Sequence, residues 1–230
     1  MNAIGSPLPS RWGENLGKII LVSSPKGGSG KSVLARHLLV SACQAGIDAI
    51  GIDFDRQGTF DKWAQRRKTT REMFPEFAPV TVKAAHLRNW REGLQFAEQA
   101  KLAIIDTPPS VEDHLAAISQ LAEAADLIVI PAVCTQDDID SVIPWVEILK
   151  QKKNQKAVIV LNRANRRTTS FARIRGRLIR ISDVCPVEIP LLEDVHVPSS
   201  KGLTLLDYTK SRGQEPFDEV WAYVKRQINL

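Results

Sequence analysis

The run SPKGGSGKS at residues 24–32 constrains this chain more than any other part of it. An apolar, β-rich segment precedes it at residues 18–23 (KIILVS), and residues 33–45 (VLARHLLVSACQA) follow with helical spacing that Gly46 stops. A glycine-rich turn joining a strand to a helix gathers unpaired N–H groups and the positive end of the helix dipole, and that attracts an anion. Gly27, Gly28 and Gly30 free the backbone to turn its N–H groups inward, and Ser29 and Val33 complete the cradle. Lys31 can reach β- and γ-phosphates, and the Ser32 hydroxyl can take Mg²⁺. A second lysine, Lys26, stands before the first glycine pair, where the general phosphate-loop pattern asks for none.

Apolar, β-branched runs recur at residues 19–22, 49–52, 80–82, 102–105, 127–130, 157–161 and 187–189, alternating with helical patterns. Several are apolar throughout, as strands covered on both faces must be. The alternation predicts an α/β, doubly wound, mostly parallel sheet with helices on both faces and its chemistry at the carboxyl ends of the strands. With 230 residues, 43% of them hydrophobic, the chain can bury one sizeable core, so residues 18–230 are expected to form a single domain behind a flexible polar leader at 1–17. Cys43, Cys134 and Cys185 lack metal-ligand spacing and are odd in number, which argues against a disulfide framework or a zinc site. A cytoplasmic setting is expected, since no signal peptide or long apolar run is present.

Two further strand ends carry acids. In LAIIDTPPS, at residues 102–110, an apolar strand ends on Asp106, the arrangement by which a carboxylate holds Mg²⁺, usually through water. In GIDFDRQG, at residues 51–58, Asp53 and Asp55 are two apart. If the strand runs that far, they face the same way, one toward the metal and one toward a water behind the γ-phosphate.

The three segments KGGSGKS, DFDRQG and IIDTPPS resemble the nucleotide motifs of the ParA/MinD family of deviant Walker ATPases, with Lys26 as the signature lysine. Weaker likenesses extend the resemblance over residues 18–225: Trp63, Ala64 and Arg66 after the second motif, and Leu161-Asn162-Arg163 at a base-recognition strand end. The resemblance is closest to small ParA-type partition proteins without an N-terminal DNA-reading domain. It implies ATP and Mg²⁺ as cofactors and an ATP-sandwich homodimer. Lys31 would bind phosphates in its own subunit, Lys26 those of the partner, Ser32 and Asp106 would serve Mg²⁺ with Asp53 supporting the metal shell, and Asp55 would orient the attacking water. Asn162 would contact adenine, with Arg163 lying against the base. A guanine-reading N-K-x-D motif is absent, since Asn162 is followed by Arg163, Ala164 and Asn165. The stretch AVCTQDDIDSV after Pro131 follows the family only loosely, which leaves the adaptor-facing surface open.

The net charge of +5 is unevenly spread. Residues 150–180 hold eleven lysines and arginines and no acid; removing those from the total of 31 leaves twenty cations against 26 acids elsewhere. Phe171, Ile174, Leu178 and Ile181 form one apolar helix face, flanked by Arg173, Arg177 and Arg180. Such a face is either a solvated surface or a polyanion-binding one, and the complete lack of acids favours the second. With Arg166, Arg167 and Arg175, these arginines are the candidate contacts to non-specific double-stranded DNA, which implies nucleoid association, with a DNA-binding or cargo adaptor protein supplying site recognition. Phe217, Val220, Trp221, Val224 and Ile228 make a terminal amphipathic helix without a strongly basic face, which predicts packing rather than membrane docking. Two other readings compete with the partition ATPase: a small-molecule ATP-dependent enzyme of the dethiobiotin synthetase type, and a membrane-surface regulator of the MinD type.

Overall fold

The computed structural model describes residues 17–109, 114–150, 155–192, 195–209, 211 and 213–230. Apart from Gly17, the leader expected at 1–17 lies outside them, as do Ser110 of the third motif and Lys152 and Lys153 of the basic tract. Six of the seven apolar runs become strands: β1 (Lys18–Val22), β2 (Ala49–Asp53), β3 (Thr81–Ala84), β4 (Leu102–Asp106), β5 (Leu127–Val133) and β6 (Ala157–Asn162). With the short β7 (Asp183–Val184) they form one parallel sheet in the order β3-β2-β4-β1-β5-β6-β7. All five residues of β4 are buried, because helices cover the sheet on both sides.

The run at 187–189 behaves differently from the expectation. The chain keeps alongside β6, with Cys185 N–H donating to Ile159 O at 2.8 Å and Ile189 N–H to Leu161 O at 2.8 Å. Between them stands Pro186, which has no N–H to give. Its nitrogen faces away from β6, so the missing N–H is not what ends the ladder: a regular strand would bring Val187 N–H to Leu161 O, but Ile189 takes that place, the chain bulges by two residues, and β7 ends at Val184.

Helices α1 (Lys31–Gln44), α2 (Thr59–Met73) and α8 (Gln214–Gln227) cover one face through a core that includes Leu34, Leu38, Phe60, Trp63, Val220 and Trp221. Helices α3 (Trp90–Ala97), α4 (Leu115–Ala124), α5 (Gln136–Lys150) and α6 (Thr169–Ile179) cover the other, through Leu94, Ile118, Val142, Trp145, Phe171, Ile174 and Leu178. The short α7 (His196–Ser200) follows near the end of the chain. In α8, Phe217, Val220, Trp221 and Val224 are buried, and Ile228 just beyond it is buried too, so the terminal amphipathic face packs inward. Among the described residues no helix is long and apolar enough to cross a membrane.

His37 of α1 ties three elements together. Its Nδ1–H donates to Val33 O at 2.8 Å, its Nε2 accepts from Leu205 N–H at 3.3 Å, and its ring stacks on Phe217 with centroids 3.6 Å apart. Both nitrogens are used by the neutral ring. Burial is the largest cause that lowers its pKa, from 6.5 to about 4; Asp207 pulls the other way and Arg36 pushes it lower. The unfolded chain therefore binds the extra proton first, and His37 contributes stability that is fully present above pH 6.5 and lost as the pH falls toward 4. At ~1.4 kcal/mol per unit, the loss is about 3 kcal/mol. The Asp106 carboxyl, raised by burial, acts with the opposite sign. The difference between wild type and His37→Phe isolates the histidine: urea midpoints against pH should show the variant lacking an acid-side loss that the wild type has.

Candidate functional site

The loop after β1 enters α1 through two glycines in the left-handed region, Gly28 at φ 76° and Gly30 at φ 99°. Gly30 has a further reason to be glycine, because a Cβ there would lie 2.1 Å from Nδ2 of Asn162. That amide donates to Ser29 O at 2.8 Å, and its Oδ1 accepts from Arg163 N–H at 2.9 Å. Asn162, expected at the base, thus sits at the end of β6 with a grip on the phosphate loop. Arg163 beside it is exposed, with φ 50°.

Lys31 opens α1 and is only 6% exposed. Its Nζ donates to Lys26 O at 2.8 Å, burial lowers its pKa, and Asp106, Asp55 and Asp138 oppose that shift. Lys26 is half-buried, and its own ammonium donates to Asp137 O at the start of α5. The two lysines of the loop thus have their ammonium groups on different carbonyls, Lys31 within the loop and Lys26 on α5.

The acids converge from parallel strand ends. Asp53 and Asp106 are register partners on β2 and β4, and Val22 of β1 pairs with Asp106 on the other side. Among the described residues neither oxygen of the fully buried Asp106 has a partner in full hydrogen-bond geometry, although the Ser32 hydroxyl lies near enough to favour its ionised form. Burial raises its pKa to about 7; Ser32 and Lys31 favour the ionised form, and Asp53 and Asp55 disfavour it. An orphaned carboxylate beside a hydroxyl at the mouth of an anion-binding loop fits a hard cation, which would supply the missing positive partner. Among the described residues no cluster of three or more His, Cys, Asp and Glu side chains could enclose an ion. Mg²⁺ requires no such cluster, since it keeps several waters and takes only one or two protein ligands beside substrate phosphates.

Asp53 and Asp55 do not share a strand face, because β2 ends at Asp53 and the backbone turns. Asp53 accepts from the N–H groups of Asp55, Phe60 and Asp61, each at 2.9 Å. It caps α2 from a distance, since the N-cap residue Gly58 has no side chain to do so. Asp55 stands beyond the strand, half-buried, with Oδ1 accepting from Gln57 N–H at 2.9 Å.

Two charged residues at this site are ones that sequence reasoning missed. Asp138 is 4% exposed, its Oδ2 accepts from Val133 N–H at 2.6 Å, and its charge faces Lys26 and Lys31. The available signal was that β5 neighbours β1, so acids just after β5 fall at the loop. Arg36 lies one turn beyond Ser32, buried, donating to Ser199 Oγ and Thr59 O at 2.7 Å each. It clamps α1 to the start of α2 and to α7.

The arginine face also forms. Phe171, Ile174 and Leu178 of α6 are buried and Ile181 packs against them, while Arg173, Arg177 and Arg180 are exposed. Arg167 is exposed and Arg175 half-buried. Arg166 is different, because it pairs with Glu188 and so has its charge compensated.

The model for the CobQ/CobB/MinD/ParA nucleotide binding domain matches residues 20–205. No curated protein matches the chain. A McdA variant from Cyanothece, solved in complex with ATP, is 18% identical with a TM-score of 0.70, covering 95% of this chain and 98% of that one. A ParA family ATPase from Chlorobium tepidum is 16% identical with a TM-score of 0.71, covering 92% and 100%. The septum site-determining protein MinD of Pyrococcus horikoshii, solved with Mg-ADP, is 16% identical with a TM-score of 0.70, covering 92% and 97%. At these identities the solved structures attest the fold alone, and that fold is the seven-stranded parallel sheet described above. The family match spans well over half of the sequence and includes the phosphate loop, both acidic strand ends and Asn162; this chain belongs to the CobQ/CobB/MinD/ParA family of nucleotide-binding domains.

Proposed function

We propose that this chain is an ATP-driven switch that associates with DNA: ATP and Mg²⁺ permit homodimerisation and non-specific duplex binding, and slow, partner-stimulated hydrolysis reverses both. The observation that best supports it is the pairing, within one domain, of a two-lysine phosphate loop with an exposed arginine face on α6. Lys31 and the loop N–H groups hold the phosphates. Ser32 and Asp106 hold Mg²⁺, which when bound neutralises charge on the β- and γ-phosphates. Asp53 supports that shell by fixing the backbone that positions Asp55, and Asp55 orients the attacking water. Lys26, once released from Asp137 O, reaches the partner's phosphates. Asn162 and Arg163 face the base. A DNA-binding or cargo adaptor protein accelerates the reset, and the ParA-like likeness favours partition or positioning of a cargo.

Replacing Arg173, Arg177 and Arg180 together by Glu is expected to weaken duplex binding at least about 100-fold while ATP binding stays normal. Each lost phosphate contact also removes ~0.9 from the slope of log affinity against log salt, so the slope should become shallower by about 2.7. Mobility shifts over a salt series, with ATP and with ADP, measure both. Unchanged affinity would reduce α6 to a solvated face, and turnover that needs a small metabolite instead of DNA or a protein would favour the metabolic relatives.

A further inference from the structure

A second cationic surface lies on α2, at the sheet edge opposite α6. Lys62, Arg66 and Lys68 are exposed and Arg71 is half-buried. Their donors go to uncharged carbonyls: Lys62 Nζ to Gln57 O at 2.8 Å, Arg66 Nε to Ser199 O at 3.2 Å and Arg71 Nε to Phe77 O at 2.8 Å. Among the described residues none of the four forms an ion pair with a carboxylate. Neutral carbonyls orient these cations without cancelling their charge. The remaining cation of the helix, Arg67, is the one that is neutralised: its side chain is fully buried on Asp207, at 2.7 and 2.8 Å, which locks α2 in place. Between α2 and the edge strand β3 runs a notch of about 210 Å³, lined in part by Gln65, Lys68, Arg71 and Thr81.

We infer that this face of α2 is a second binding surface for the phosphate backbone of duplex DNA; the inference rests on the DNA-binding reading above and extends it. Against the two acids of the helix, half-buried Asp61 and exposed Glu72, these four cations leave a net positive surface, and its interleaved hydroxyl and amide groups suit phosphate oxygens. The exposed stretch Lys62, Gln65, Arg66, Lys68 and Thr69 is polar, and the exposed apolar side chains beside it, Met73 at the end of α2 and Phe74 just beyond, form a smaller anchor than the continuous apolar face a membrane-surface helix buries. The apolar side of α2 is spent on the core, through Phe60, Trp63 and Ala64.

The two surfaces lie at opposite edges and on opposite faces of the sheet. Six strand spacings of ~4.8 Å separate β3 from β7 by about 29 Å. Each chain therefore offers sites for two separate duplex segments, and the protein can bridge DNA as well as bind it.

The test counts short duplexes of one turn bound per chain in the presence of ATP, for wild type, a Lys62→Glu/Arg66→Glu/Lys68→Glu variant, the α6 triple Glu variant and their combination. Two per chain are expected for wild type, one for each triple variant and none for the combination. Lys62→Gln/Arg66→Gln/Lys68→Gln, which keeps good helix formers, should also bind one, and circular dichroism verifies its fold. A wild type that binds only one duplex per chain, with the α2 variants unchanged, overturns the second surface and leaves the α6 reading standing. No duplex bound by any protein overturns both. Loss by the α2 variants of binding to anionic phospholipid vesicles, with duplex stoichiometry unchanged, would assign the face to lipid headgroups and overturn it as a DNA surface.

Discussion

Lys31→Ala should lose ATP binding, whereas Lys26→Ala should keep it and lose ATP-dependent dimerisation. The two lysines differ in their surroundings. Lys31 is 6% exposed, with Asp106, Asp55 and Asp138 around its ammonium, so its removal leaves buried acids facing the incoming phosphates without their counter-charge. Truncating a buried charged partner costs roughly 3 kcal/mol or more, which is at least about 100-fold in affinity. Lys26 contributes its carbonyl to Lys31, which alanine retains, and its ammonium is half-buried on Asp137 O, outside the loop's own phosphate cradle. Equilibrium ATP titration and light scattering separate the two phenotypes. A Lys26→Ala protein that dimerises normally with ATP would remove the sandwich dimer from the proposed mechanism.

The parts of this site that the sequence makes legible are those whose signal is local. Lys31 and Ser32 follow their strand and glycines directly, and Asp106 ends a run buried on all five residues. Asp138 is not legible in the same way, because it reaches the lysines from another crossover through the adjacency of β5 and β1. The capping of α2 is hidden for a related reason: its N-cap position is Gly58, so the acceptor comes from Asp53, seven and eight residues before the N–H groups of Phe60 and Asp61. The same shortfall appears in charge counting. A tally along the chain finds the acid-free stretch at 150–180 but treats α2 as part of an acidic remainder. Only the tertiary pairing of Arg67 with Asp207, 140 residues away, separates a buried structural arginine from the uncompensated cations around it. The run at 187–189 marks the remaining gap, where an apolar stretch reads as a strand but Ile189, not Val187, takes the bond to Leu161 O, so the chain bulges by two residues out of the ladder with β6.

Asp55→Asn should bind Mg-ATP and dimerise like the wild type but hydrolyse ATP at least about 100-fold more slowly, the lower end of what a positioned general base contributes. Asparagine is the informative substitution because its Oδ1 can still accept from Gln57 N–H, as the carboxylate does at 2.9 Å, so the turn into α2 is retained. Asp55→Ala should show the same loss of turnover with a looser turn. Neither change should weaken nucleotide binding, since removing one of the acids around Lys31 lowers the repulsion that the triphosphate meets. Single-turnover hydrolysis alongside equilibrium binding distinguishes lost chemistry from lost affinity. Asp53 is poorly placed to substitute, because its oxygens already accept three backbone N–H groups and must keep doing so for α2 to stay capped. Wild-type turnover in Asp55→Asn would therefore move the water-orienting role away from both carboxylates of the second motif, and Asp138, buried beside the two loop lysines, would become the acid to replace next.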